Sequence, residues 1–195
     1  MIKLGITGGI GSGKSVVSHI LQLMDIPVYQ TDNEAKRLMV QDPVIRQQLC
    51  ALMGDEIYFP NHSLNRALLA NYIFECPERL AQVNAIVHPR VKIDFLQWAE
   101  HYKTLPLVCM ECAILYESKF ESTVDSVLVV TAPLKLRIQR AMQRDSAQEE
   151  QIRKRIKHQL SEEQLTDKAD FVVKNDNETP LLPQITRILH LLHIL

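Results

Sequence analysis

The chain has 195 residues, 23% of them charged, and a formal net charge of −1. That length suits one well-buried α/β core with room for an inserted subdomain, and the near-neutral balance offers no basic field that would draw in nucleic acid. No apolar run approaches the ~18 residues of a transmembrane span, no signal peptide precedes the first strand, and four cysteines do not make a disulfide scaffold. The expectation is a soluble, cytoplasmic protein with no membrane or nucleic-acid partner.

Ile2 to Thr7 is a short apolar run of strand type, and Val16 to Met24 is apolar at helical spacing. Between them lies Gly8-Gly9-Ile10-Gly11-Ser12-Gly13-Lys14-Ser15, which fits G-x-x-x-x-G-K-[ST], the phosphate-binding P-loop. Five of the six glycines fall between Gly5 and Gly13, where a polyanion must approach the main chain. In this context main-chain N–H groups of Gly11, Ser12, Gly13, Lys14, Ser15 and Val16 and the helix dipole face the phosphates. Lys14 reaches the β/γ-phosphates and the Ser15 hydroxyl holds Mg²⁺. A dinucleotide fingerprint, G-x-G-x-x-G, fails because the sixth position counted from Gly9 is Lys14.

Val28 to Gln30 begins a second strand that delivers Thr31-Asp32 at its carboxyl end, where ligands of open α/β sheets bind. Asp32 reads as a carboxylate beside the phosphates, and equally as the N-cap of a helix from Asn33 to Val40. From Asp42 to Tyr102 the pattern turns helical: Val44 to Met53, then Arg66 to Phe74 with Asn65 or Ser63 as cap, then a helix opened by Pro77. Pro89 disfavours helix in the residue before it, so that helix is predicted to stop at His88 and a new one to run from Arg90 to Tyr102. Some 60 residues exceed a single crossover, so the block reads as a subdomain for a second substrate. His88 reads as a capping or structural histidine before a catalytic base.

Leu105 to Cys112 is the third strand; Cys109 and Cys112 point to opposite faces of it and read as buried thiols, not a metal site. Glu111 and Glu117 are the alternatives for a carboxylate that completes the Mg²⁺ shell. Asp125 to Thr131 is a fourth strand of the buried parallel kind. From Lys135 to His158 eight Lys/Arg face three acids in a chain that is −1 overall. Arg140 and Arg144 share a helix face, Asp145-Ser146 breaks the run, and Arg155 and Gln159 lie four apart on the helix that follows. A helical hairpin with inward arginines suits a lid over phosphates, against the blander reading of a solvated basic face. Ala169 to Asn177 adds a fifth strand and a polar turn, and Leu181 to Leu195 closes as an amphipathic helix.

Taken together, these motifs resemble the dephospho-CoA kinase family. The matching pieces are ITGGIGSGKS (Ile6 to Ser15), PVYQTD (Pro27 to Asp32), Asn65-Arg66, IVHP (Ile86 to Pro89), ILYE (Ile114 to Glu117), QRD (Gln143 to Asp145), Arg155 with Gln159, Ala169-Asp170 and Asn175. The resemblance implies an α/β fold: a P-loop NTPase-type parallel five-stranded sheet flanked by helices, with a helical substrate-binding insertion and a helical lid. It implies a nucleotide core of residues 1–31, 104–134 and 166–195, an acceptor subdomain of 32–103 and a lid of 135–165. The implied reaction moves the ATP γ-phosphoryl group to the 3′-hydroxyl of dephospho-CoA, with Mg²⁺, in a protein expected to be a monomer.

By the same resemblance Asp32, Lys14, Arg140 and Arg144 are catalytic; Arg140 and Asn175 meet ATP; and Asp32, Arg66, His88 and Glu117 lie on the acceptor side. Ala113 stands where many members have proline, and Asn177 where glycine is common. The rivals are another small-molecule or nucleotide kinase, and a P-loop switch ATPase.

Overall fold

The computed structural model describes residues 1–74 and 76–195. Five strands, β1 (Ile2–Thr7), β2 (Val28–Gln30), β3 (Leu107–Glu111), β4 (Ser126–Thr131) and β5 (Phe171–Lys174), form one sheet in the order β2-β3-β1-β4-β5. Every pairing is parallel. Such a sheet is covered on both faces, and β3 and β4 are accordingly near-continuous apolar runs. Helices α1 (Lys14–Leu23) and α9 (Leu181–Leu191) pack on it, joining Leu4, Ile6, Val17, Leu21, Cys109, Leu128, Val173, Ile185 and Leu189 in one core. This is the P-loop NTPase-type α/β fold. Cys109 is free and fully buried, and burial pushes its thiol pKa far up, so it packs as a small hydrophobe. No helix among the described residues is long and apolar enough to cross a membrane.

The chain divides into two compact units, residues 1–30 with 99–195, and residues 31–98. The second unit holds α2 (Thr31–Gln41), α3 (Pro43–Met53), a 3₁₀ turn at Asp55–Ile57, α4 (Arg66–Ile73) and most of α5 (Pro77–Glu100). Two sequence expectations change here. Helix α2 already starts at Thr31, so Asp32 is a first-turn residue and not the N-cap. Helix α5 does not stop at His88; it runs on through Pro89 for 24 residues. A proline inside a helix costs about 3 kcal/mol through its missing N–H and a clash with the carbonyl four residues back. That carbonyl belongs to Ala85, which is exposed like Pro89 and open to solvent. The opposite side carries Val83, Val87, Val91, Phe95 and Ala99, all buried at unbroken spacings of four. A stripe that passes straight through the proline holds one helix together, and its spacing was present in the sequence.

Asp42 shows what holds the second unit's helices. Its Oδ1 accepts from the main-chain N–H groups of Val44 (2.8 Å) and Ile45 (3.0 Å), capping α3. Its Oδ2 accepts from Arg90 Nε at 2.9 Å and pairs with Arg90 Nη2 at 2.8 Å, tying α3 to α5. Burial by itself pushes this carboxyl up, but the Ile45 amide and the Arg90 guanidinium outweigh it and leave the pKa below the usual value. Asp42→Ala removes a cap and strands Arg90, with an expected loss of about 2–3 kcal/mol in urea unfolding at neutral pH. The folded pKa is depressed, so this stabilisation is complete above the unfolded value near ~4 and is lost as pH falls through the folded one. The gap between Asp42→Ala and the parent chain should therefore close in acid.

In the first unit, Pro133 leads into α6 (Leu134–Asp145), Ser146 turns the chain in a left-handed conformation, and α7 (Glu149–Lys157) and α8 (Glu162–Asp167) follow. Ile138, Ala141 and Ile152 pack the α6–α7 hairpin together with Ile10. Gln159 lies beyond the end of α7 and not on it, because the helix ends at Lys157 with His158 as its cap. That frees its side chain from the helical face shared with Arg155.

Candidate active site

The carboxyl end of β1 runs into Gly8–Gly13, and α1 begins at Lys14, so the loop sits at the helix N-terminus where unpaired N–H groups and the dipole favour an anion. Gly13 is the left-handed N-cap at φ 95°, and a Cβ there would collide with Asn175 Nδ2. Only glycine meets both demands. Val16 and Val17 then bond the Gly13 carbonyl, starting the helix. Lys14 Nζ donates to the Gly8 carbonyl at 2.8 Å and to the Gly9 carbonyl at 3.3 Å, which holds the ammonium over the loop. Ser12 is buried, 1% exposed, and Val16 is exposed.

Register decides which acid stands beside Ser15. Ile6 pairs with Glu111 across β1 and β3, and Gln30 pairs with the same Glu111 across β2 and β3. Ser15 Oγ donates to Glu111 Oε1 at 3.0 Å. Glu117 instead accepts from the Leu160 N–H at 3.0 Å, holding the segment that enters α8. Of the two acids, Glu111 is the one that stands beside Ser15. A hydroxyl and a carboxylate are hard oxygen donors of the kind that suit Mg²⁺. No group of three or more His, Cys, Asp or Glu converges among the described residues.

The basic residues sort into distinct places. Arg140 donates from Nη1 to the Asn175 carbonyl at 3.0 Å and from Nη2 to Asn175 Oδ1 at 3.4 Å, and it also bonds Asn177 Oδ1. Asn175 Nδ2 donates to the Ser12 carbonyl at 2.8 Å, so Arg140, Asn175 and the loop form one chain of hydrogen bonds. Asn177 takes a left-handed angle, φ 70°, and adds an acceptor for Arg140. Arg144, one turn on, is exposed and pairs with Asp145 at 2.7 Å; Arg155 meets the same carboxylate at 2.6 Å. These two guanidinium groups hold the Asp145 carboxyl far below the usual range.

The acceptor-side residues divide between the units. Asp32 is exposed in the first turn of α2, Arg66 is the exposed first residue of α4, and His88 is half-buried in α5, all in the second unit; Glu117 belongs to the first. Burial, then Lys92, pulls the His88 pKa down, which disfavours its charged form. Two loop contacts escaped the sequence reading: Arg137, buried and bonded to the Ile10 carbonyl, and Gln159, which reaches the Ile10 N–H. Nothing local in the sequence separates Arg137 from its basic neighbours.

A family model described as dephospho-CoA kinase matches residues 2–180. A dephospho-CoA kinase of Bacteroides fragilis is 51% identical over 192 residues, covering 98% of this chain and 93% of its own. The Porphyromonas gingivalis protein of that name is 47% identical over 190 residues, covering 97% and 93%. A crystal structure from Thermus thermophilus, 32% identical, matches with a TM-score of 0.81 over 98% of this chain and 96% of its own. A model spanning nearly the whole chain, together with relatives at this identity, means that the chain belongs to the dephospho-CoA kinase family.

Proposed function

We propose that this chain transfers the γ-phosphoryl group of ATP to the 3′-hydroxyl of the dephospho-CoA ribose, giving coenzyme A and ADP. The observation that carries the reading is the family match over residues 2–180, which includes the loop, Glu111 and the arginine hairpin. In this reading the first unit binds ATP, residues 31–98 receive dephospho-CoA, and α6 to α8 act as the lid.

Phosphoryl transfer passes through a loose transition state, so the protein's work is positioning and charge neutralisation. The loop amides and the ammonium of Lys14 bind the β- and γ-phosphates. Arg140, tied to the loop through Asn175, and Arg144 bring positive charge to the transferring oxygens. Asp32 orients the 3′-hydroxyl and accepts its proton as the new P–O bond forms. The proton leaves the ribose oxygen and the broken bond releases ADP. Ser15 and Glu111 would hold Mg²⁺, which supplies Lewis-acid neutralisation of phosphate charge when bound.

The discriminating assay offers dephospho-CoA, AMP, adenosine and water as acceptors with labelled ATP. Transfer to dephospho-CoA far above the rest is the expected result; comparable transfer to AMP, or hydrolysis alone, overturns it. Glu111→Gln should raise the Mg²⁺ concentration for half-maximal activity by about tenfold, as loss of a partner near a metal does. Glu117→Gln should leave that concentration unchanged. An unchanged Mg²⁺ response in the Glu111 variant removes Glu111 from the metal's neighbourhood.

A further inference from the structure

Ile10 lies midway along the donor loop, and both of its main-chain groups are taken by side chains from far along the chain. Its N–H donates to Gln159 Oε1 at 2.8 Å, and its carbonyl accepts from Arg137 Nε at 3.1 Å. Each holder is itself held. Gln159 Nε2 donates to the Ala113 carbonyl at 3.1 Å, and Arg137 Nη1 pairs with Glu162 at 3.3 Å. Arg137 is only 6% exposed, so this is a packed guanidinium and not a surface charge. The Ile10 side chain adds an apolar contact with the Ile138, Ala141 and Ile152 cluster.

A second observation comes from the motif. Its required glycines are Gly8 and Gly13, while positions 9 to 12 are variable, yet this chain has glycine at both 9 and 11. A Cβ on Gly9 would run into the Arg137 guanidinium, and one on Gly11 into the Arg137 main-chain carbonyl. The two extra glycines therefore lie where α6 presses on the loop.

We propose that Arg137 and Gln159 are positioning residues for the phosphoryl donor. By holding the two peptide groups that flank Ile10 they fix the loop in its anion-binding arrangement and make that arrangement depend on the α6–α8 segment. A loop this rich in glycine is floppy when unheld, and ordering it on binding weakens affinity; preorganisation removes that loss. The proposal rests on the reading of Gly8 to Ser15 as an ATP site.

Calorimetric titration of Mg²⁺-ATP into the full chain, without acceptor, separates the two. A parent chain that does not bind overturns the ATP reading itself. Gln159→Met keeps length and bulk but removes both hydrogen bonds. It should weaken ATP binding about tenfold, the size of an unsatisfied amide. The KM for dephospho-CoA should stay within about twofold, and the thermal midpoint should fall by no more than about 2–4 °C for the two part-buried hydrogen bonds lost. Arg137→Lys keeps charge near Glu162 but loses the Nε–H, and should act alike. Because both hold the same loop residue through its adjoining peptide groups, the double variant should weaken ATP binding by clearly less than the product of the single effects.

Parent-like ATP binding in Gln159→Met overturns the proposal. So does a parallel rise in the acceptor KM with a thermal midpoint lowered beyond that range, which marks a merely structural residue, and so do effects that multiply. Should Arg137→Lys not fold, the split between ATP and acceptor in Gln159→Met decides alone.

Discussion

Replacing Lys14 with alanine should lower turnover about a thousandfold and weaken ATP binding, the scale expected when a preorganised charge is removed from a transferring phosphoryl group. The ammonium reaches the carbonyls of Gly8 and Gly9, so it is held over the loop before any nucleotide arrives. Its removal takes away both the charge and the bridge that draws the loop together. Lys14→Arg should recover little, because a planar guanidinium cannot replace a compact ammonium packed on two carbonyls. Steady-state kinetics with ATP and dephospho-CoA, beside nucleotide titration, give both effects. Turnover of Lys14→Ala within about tenfold of the parent would show that the charge near the γ-phosphate comes from elsewhere, Arg140 being the first candidate.

Asp32→Asn should divide binding from chemistry. ATP affinity is expected to hold, because the P-loop lies in residues 1–30 and Asp32 in the other unit. Turnover should fall by about 10² to 10⁴, the range for loss of a positioned proton acceptor. Folding should change little: Asp32 is exposed in the first turn of α2, where losing an acid costs about 0.3–1 kcal/mol through the helix dipole. Single-turnover measurements with saturating ATP isolate the step. A variant that turns over like the parent removes Asp32 from the mechanism.

Much of the site could be read from residues alone because its chemistry is local. Eight consecutive residues between a strand and a helix define the donor loop, and the structure has β1, the loop and α1 in that order. All five strands were expected from the sequence, four of them from apolar runs, and Asn65, Pro77 and Ser146 stand at helix ends. The failures were also local rules applied too strictly. Pro89 breaks a helix unless packing on its far face outweighs the loss, and the stripe from Val83 to Ala99 does so. Asp32 is a good cap, but the helix starts two residues before the expected Asn33, at Thr31.

By itself, then, the sequence determined the donor loop, the class of fold and the family, since short motifs and periodicity report conformations that neighbouring residues impose on one another. Tertiary structure alone decided which distant groups meet that loop. Glu111 and Glu117 lie six residues apart with the same charge, and only the β1–β3 register brings Glu111 to Ser15. Arg137 and Arg140 are alike in a basic run, yet one grips Ile10 and the other Asn175. Gln159 reaches the loop only because α7 ends at Lys157 and releases it. The contacts of Ser15 with Glu111 and of Ile10 with Arg137 and Gln159 join residues some 100 to 150 positions apart. They are set by strand order, crossover length and the sum of many packing contacts, none of which any short stretch of the chain contains.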